Sequence, residues 1–314
     1  MQKSGAAILA VFALTAVLAG AAVGQTTGGL DLPRTFEGRP DFSGAWTSRS
    51  LTMTERAEPG PLVVDDETAA KVAQGIYDFI RSDELAVDID PDAIAADVGE
   101  LLRVGGEWRT SYVTLPEDGK LPLTAEGARR IAATSAHSEP HQLAGPEGRD
   151  DFERCLTGSG ETPLYQVPSS NARLVVQSAD HVLIYTEEGG DLRKLRIGGA
   201  PLPEVLVTRY GDSIARWEGD VLVVETTNVE PHASGFPGGK IVVGEASRVV
   251  EHLQLLSADE LLYRFTVEDD ALYTEPWSAE FSMKRTGHKS YEYGCHEGNY
   301  SIVNILKAAR IAEQ

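Results

Sequence analysis

The spacing of hydrophobic and polar positions changes along this chain, and each spacing predicts its own kind of element. From about 65 to 137 the apolar residues recur at helical intervals. Ala69, Val72, Ala73, Ile76 and Ile80 fall on one face, with Asp65 or Asp66 as the N-cap. Asp90-Pro91 opens a second helix with a stripe of Ile94, Val98, Leu101 and Leu102, and Thr124 caps a third that runs through Ile131. Between them, Trp108 to Leu115 reads as a strand followed by a Pro-Glu-Asp-Gly turn.

From Ala172 onward the interval falls to two. Residues 172–177 and 182–187 flank one turn, and 249–255 and 261–267 flank another. Trp277, Ala279, Phe281 and Met283 alternate with Ser278, Glu280, Ser282 and Lys284, which marks one buried and one wet face. Phe42 to Trp46 reads as the first strand. Tyr291, Tyr293 and Cys295 are expected to share a face of the last one, and Asn299 caps a final helix with Ile302, Leu306 and Ala309 inward. The fold predicted is mainly β: an antiparallel meander forming a barrel or a strongly curved sheet, with an inserted helical layer and a C-terminal helix. One β-rich domain is expected over 41–314, after a Gly/Thr/Pro-rich lead-in at 25–40.

The N-terminus adds a compartment. Met1-Gln2-Lys3 precedes an apolar run from Ala6 to Val23 that ends in small residues, the succession of a secretory signal over 1–24. Periplasmic or secreted location follows, with no membrane association after cleavage. The chain carries 48 acidic against 28 basic residues, a formal net charge of -20, which repels phosphate backbones and disfavours nucleic acid. In an exported chain the two cysteines, Cys155 and Cys295, are expected to bridge, contributing roughly 2–4 kcal/mol. Two separate buried thiols, or one reactive thiol, are the alternatives.

The segment Tyr210–Asn228, YGDSIARWEGDVLVVETTN, carries more charge than a plain hairpin needs. Glu218 and Asp220 read first as a solvated turn, whereas Glu225 sits inside an apolar run. Glu251 shares its strand face with Val249, Leu253 and Leu255 and is expected to point inward. A buried carboxylate is either half of a structural ion pair, with Arg193, Arg196, Arg216 or Arg264 as partner, or an acid/base group in a cavity. If Glu225 entered the same lumen, two carboxylates would face one cavity, an arrangement that separates pKa values. His296, in Cys-His-Glu-Gly-Asn, is a third candidate for proton transfer or else a packed loop residue. His137 and His141 are four apart, but Pro140 interrupts the helix that a metal pair would need. His181 and His232 are expected to face solvent. No metal and no cofactor are expected.

Four segments together resemble a bacterial family of exported, largely uncharacterised proteins: Pro40–Trp46, Arg109–Pro122, the GDSIARWEGDVLVVETTN segment and YEYGCHEGNYSIVNILKAAR. Glu153-Arg154-Cys155 and Thr274–Trp277 look like further landmarks. Relatives carry a His-Asp pair where this chain has Gly190-Asp191, before an Arg like Arg193, so a role for that His does not transfer. The resemblance implies no particular reaction. A Gly44-Ala45-Trp46 ahead of a β meander also resembles lipocalin-like barrels, from which the helical insertion departs.

These readings converge on an exported enzyme using cofactor-independent acid-base chemistry, of lyase, isomerase or hydrolase type. Its substrate would be a small, largely apolar organic molecule held in a barrel cavity. Glu225, Glu251 and His296 are the catalytic candidates. Arg193, Arg216, Trp217, Tyr185 and Tyr293 are the substrate-binding candidates. The alternative is a non-catalytic, lipocalin-like carrier, and the oligomeric state stays open. For the apolar N-terminal run the alternative is an uncleaved membrane anchor. Mass spectrometry of protein from its host is expected to show a new N-terminus after Ala21 or Gly24; an intact Met1 on a cytoplasmic protein would refute export.

Overall fold

A computed structural model describes residues 31–81, 99–135, 143–149, 151–166, 172–234 and 241–313. The expected leader, His137 and His141, and the helix expected to open at Asp90-Pro91, as far as 98, lie outside the described residues; its last two stripe residues, Leu101 and Leu102, are buried but not helical. In chain order the elements are strands β1 (Gly44–Thr47) and β2 (Val63–Val64), helix α1 (Asp66–Ile80), strands β3 (Arg103–Val104), β4 (Glu107–Arg109) and β5 (Val113–Leu115), and helix α2 (Ala125–Ser135). Then follow β6 (Arg173–Gln177), β7 (His181–Thr186), β8 (Asp191–Ile197), β9 (Asp212–Glu218), β10 (Val221–Thr227), β11 (His232–Ser234), β12 (Ile241–Val243), β13 (Arg248–Ser257), β14 (Glu260–Glu268) and β15 (Trp277–Arg285). Helices α3 (Cys295–Gly298) and α4 (Tyr300–Ala312) end the chain.

Nine strands close into a barrel in the order β1-β6-β7-β8-β9-β10-β13-β14-β15, with β15 returning to β1; β5 pairs further along β15. Directions cannot alternate all the way round a closed ring of odd number, so one neighbouring pair must be parallel. That pair is β8 and β9, with Leu195 opposite Ser213 and Ile197 opposite Ala215. A parallel pair needs a connection of about a dozen residues or more, and residues 198–211 supply it.

The alternation read from the sequence holds. On β13, Val249, Glu251, Leu253 and Leu255 point inward, opposite Val267, Phe265, Tyr263 and Leu261 of β14. Phe281, Tyr263, Phe265, Trp277 and Tyr273 stack through the interior with successive ring centroids 4.9–5.6 Å apart. Each such pair is worth about 0.5–1.5 kcal/mol beyond its buried area. Outside the barrel, α1 packs Ala69, Ala73, Ile76 and Ile80 on Leu51, Leu101 and Trp108 as a separate apolar cluster. The caps also fall where the sequence puts them. Asp65 accepts from Thr68 N at 2.8 Å, Thr124 Oγ1 from Gly127 N at 3.1 Å, and Asn299 from Ile302 N at 3.4 Å.

Two expectations are corrected. The run from Trp108 to Leu115 is two strands in different sheets, because Thr110 N bonds Leu62 O and Tyr112 N bonds Met53 O between them. No strand passes through Tyr291, Tyr293 and Cys295. The edge of β15 is already taken by β1 and β5, and Gly294 adopts a left-handed φ of 60° that starts α3.

Candidate functional site

The residues singled out from the sequence separate into three places. Glu225 pairs across strands with Val250, while Glu251 pairs with Val224, so the two carboxylates lie on opposite sides of the barrel wall. Glu225 is on the outer face, 2.6 Å from Arg248 Nη2. Arg216 is also outside, held by Glu218 at 2.7 Å, and His296 is exposed on α3. Trp217 is half-buried at the end of the barrel away from Asp191, against Phe42 at 5.5 Å and under Arg39. Tyr185 faces out and donates to Tyr291 O at 3.2 Å. His232, expected in solvent, is instead enclosed beside the buried carboxylate of Glu161, 3.7 Å away.

Inside, Glu251 meets Arg193 in a two-pronged pair: Nη1 to Oε1 at 2.7 Å and Nη2 to Oε2 at 2.8 Å. Tyr263 Oη donates to Oε1, and Thr226 Oγ1 to Oε2 at 3.2 Å. Ser213 and Thr226 complete the ring at 2.8 Å. Burial alone raises a carboxyl; here the charge and hydrogen bonds of Arg193, with those of Tyr263 and Thr226, outweigh it and hold Glu251 below its ordinary value. Ala215, Val224, Val249, Leu253, Tyr263 and Phe265 around it are at most 3 % exposed, which leaves no water-sized space beside them.

A second inward network occupies one end of the barrel. Residues 157–166 have no regular structure, yet all but the half-buried Tyr165 are buried. A buried loop must find partners for its backbone, and Asp191 at the start of β8 supplies several. Its carboxylate accepts from Gly158 N and Gly160 N, both at 2.9 Å, from Tyr210 Oη at 2.7 Å and from Thr157 Oγ1 at 3.3 Å. The approach requires glycine. A Cβ on Gly158 would lie 2.0 Å from Glu188 O, and one on Gly160 would lie 2.4 Å from Asp191 Cβ. Leu164 N donates to Tyr263 Oη at 2.9 Å, which joins this plug to the Glu251 network.

Behind the plug lies Arg173, fully buried. Its guanidinium donates to Tyr165 O at 2.7 Å, Ser159 O at 3.2 Å and Ser48 Oγ at 3.1 Å. Among the described residues no carboxylate comes within ion-pair distance of it, and burial pulls its pKa down to about 10. Half-buried Glu188, in the turn between β7 and β8, is pushed up to about 7 by burial, with Asp191 adding to the rise. Arg173 and Ser159 oppose it. Three nearby side chains keep unused hydrogen-bonding atoms: Thr186 Oγ1, Arg173 Nε and both amide atoms of Gln166. Native interiors satisfy nearly all such groups, so these atoms can bond a buried water or another polar group.

Near Glu188 at this end of the barrel lies Tyr293, partly exposed, whose pKa is raised by burial and by Glu188. Tyr293 is 6.3 Å from Phe152. The Cys155–Cys295 disulfide, with Cα atoms 5.7 Å apart, ties the turn before the plug to the start of α3, as expected. Nothing in the local sequence pattern marks out Glu188, Arg173, Ser159 or Gln166. Thr157–Pro163 reads as a surface loop from its glycines and proline, and only the segment's burial reveals its role.

The fold is a closed nine-stranded β-barrel with a plugged, charged end. Among the described residues no helix is long and apolar enough to cross a membrane. The chain matches no protein-family model, no curated protein and no solved structure.

Two outcomes follow for stability. Glu251→Gln leaves Arg193 buried without its counter-charge, and denaturant unfolding is expected to show a loss of about 3–5 kcal/mol. The double substitution Glu251→Leu with Arg193→Met is expected to lose less than the two single losses combined; strict additivity would rule out the pair. Glu188 works in the opposite sense. Its folded pKa lies above the ordinary 4.5, so its share of stability is intact below pH 4.5 and declines as pH rises through about 7, by about 3 kcal/mol. Glu188→Gln is therefore expected to be more stable than the parent at pH 8, with a flatter stability profile between pH 4.5 and 7.

Proposed function

We propose that this barrel receives a small, largely apolar organic molecule at the end framed by the 157–166 plug, the Glu188–Gly190 turn and Tyr293. Glu188 is the group that exchanges a proton with that molecule. The observation that carries this reading is the cluster of buried polar atoms left unpaired beside a half-buried carboxyl. A carboxyl that changes charge near neutrality can both take and return a proton in one cycle. Arg173 lies behind it as a buried cation with neutral hydrogen-bond partners, a source of positive potential toward negative charge developing at the mouth. Lyase, isomerase or hydrolase chemistry fits this set. The packed ring around Glu251 supports a structural role for that residue, which moves the proposed chemistry from Glu225 and Glu251 to Glu188.

A carrier using the same mouth is the second reading. It is favoured by the amide of Gln166 and the hydroxyl of Thr186, which can hold a polar group without any proton transfer. The basic, apolar and small-residue N-terminus together with the disulfide supports export, and the motif resemblance supports membership of the exported bacterial family.

A thermal-shift screen of small carboxylic acids, esters, ketones and enols against the mature chain tests the binding claim. At least one class is expected to raise Tm, with an affinity that changes about a midpoint near pH 7 in the parent and loses that dependence in Glu188→Gln. Turnover of any such compound is expected to fall at least about 100-fold in the variant on the enzyme reading and to be absent altogether on the carrier reading. A uniformly flat screen, or an unaltered pH dependence in Glu188→Gln, would overturn the assignment.

A further inference from the structure

Away from the barrel mouth, and sharing no residue with it, a cleft of about 840 Å³ runs between α1 and the extended segment 53–61. Met53, Val64, Val72, Ile76 and Phe79 form its apolar walls. Its size falls within the range of roughly 300–1,000 Å³ typical of small-molecule pockets. The helix turns one apolar edge to its packed neighbours through Ala69, Ala73 and Ile80, and a second to this space through Val72 and Phe79, with Ile76 between.

Gly75 lies in the cleft wall in the middle of α1. Glycine inside a helix is unfavourable relative to alanine, and packing does not call for it: a Cβ added there meets nothing within 4 Å, and its φ is not in the left-handed region. What its missing side chain provides is width.

The charges at the cleft are unlike those of the chain as a whole. Lys71, Lys120 and Arg56 line it with Glu55 and Glu58, and Glu67 neutralises Lys71, so the cleft is near charge balance in a protein of net charge -20. Glu55 is occupied by Leu121 N at 2.6 Å, Arg56 by the carbonyls of Gly60 and Glu117, and Lys71 by Glu67 at 2.7 Å. Among the described residues no carboxylate pairs with the Lys120 ammonium. An apolar trough with a lysine at its edge matches one ligand chemistry.

We propose that this cleft binds an amphiphile with an apolar body and a single anionic head, the body against Val72, Ile76 and Phe79 and the head at Lys120. Calorimetric titration of the mature chain with decanoate, decanol and decylamine tests it. Decanoate is expected to bind saturably at one site, at least tenfold tighter than decylamine. Lys120→Gln should weaken decanoate at least threefold and leave decanol unchanged. Gly75→Leu should abolish binding while Tm stays level or rises, since the substitution favours the helix and fills the cleft; this separates loss of the site from loss of the fold. The proposal is overturned if the parent binds none of the three saturably, if decylamine equals decanoate, or if folded Gly75→Leu protein binds as the parent does.

Discussion

Closure of the sheet is the constraint that everything else in this protein answers to. A nine-stranded ring has no edge left to pair with another chain, but it cannot close on antiparallel pairs alone. The single parallel contact between β8 and β9 absorbs the mismatch and sends residues 198–211 back along the barrel. Closure also turns one face of every strand into a confined interior. Any polar residue on that face must find its partner inside, because water cannot reach it.

The interior meets that demand in two ways. Around Glu251 the opposite charge is in reach: Arg193 grips both carboxylate oxygens, though its Nε has no partner, and Tyr263 and Thr226 take the remaining directions. The carboxyl is held ionised and the layer is solid. Toward the plugged end the accounting is left open. Arg173 has only neutral partners, Glu188 is driven toward its neutral form, and hydroxyl and amide atoms nearby have no partner. The same physical effect, desolvation, thus operates on two carboxyls with opposite outcomes, and the difference is whether an arginine lies within hydrogen-bond reach.

The plug explains how these networks are held together. Asp191 gathers the backbone of Gly158 and Gly160, and Leu164 reaches Tyr263 inside the barrel. The disulfide just ahead of the plug fastens it to the C-terminal segment. That segment needs the fastening, since α4 has no fully buried residue. Its other anchors include Asn299 on Glu153 O and Arg310 on the carbonyls of Leu143 and Ala144.

The sequence by itself determined a mainly β fold, a barrel or a strongly curved sheet, the helical caps at Asp65 or Asp66, Thr124 and Asn299, the inward face of Glu251 and the expected cysteine pairing. Each depends on a local period, a local cap or a count of two, and none requires knowing which strand lies beside which. Even the separation of Glu225 from Glu251 needed the register of two strands, since a one-residue offset moves a side chain to the other face. Only the tertiary structure decided which arginine neutralises Glu251, that Thr157–Gln166 is an interior plug, and that Glu188 lies within the electrostatic reach of Arg173 at the barrel's end. The reason is physical: desolvation and long-range pairing are set by residues far apart in the chain, and a segment rich in glycine reads the same whether water or a barrel surrounds it.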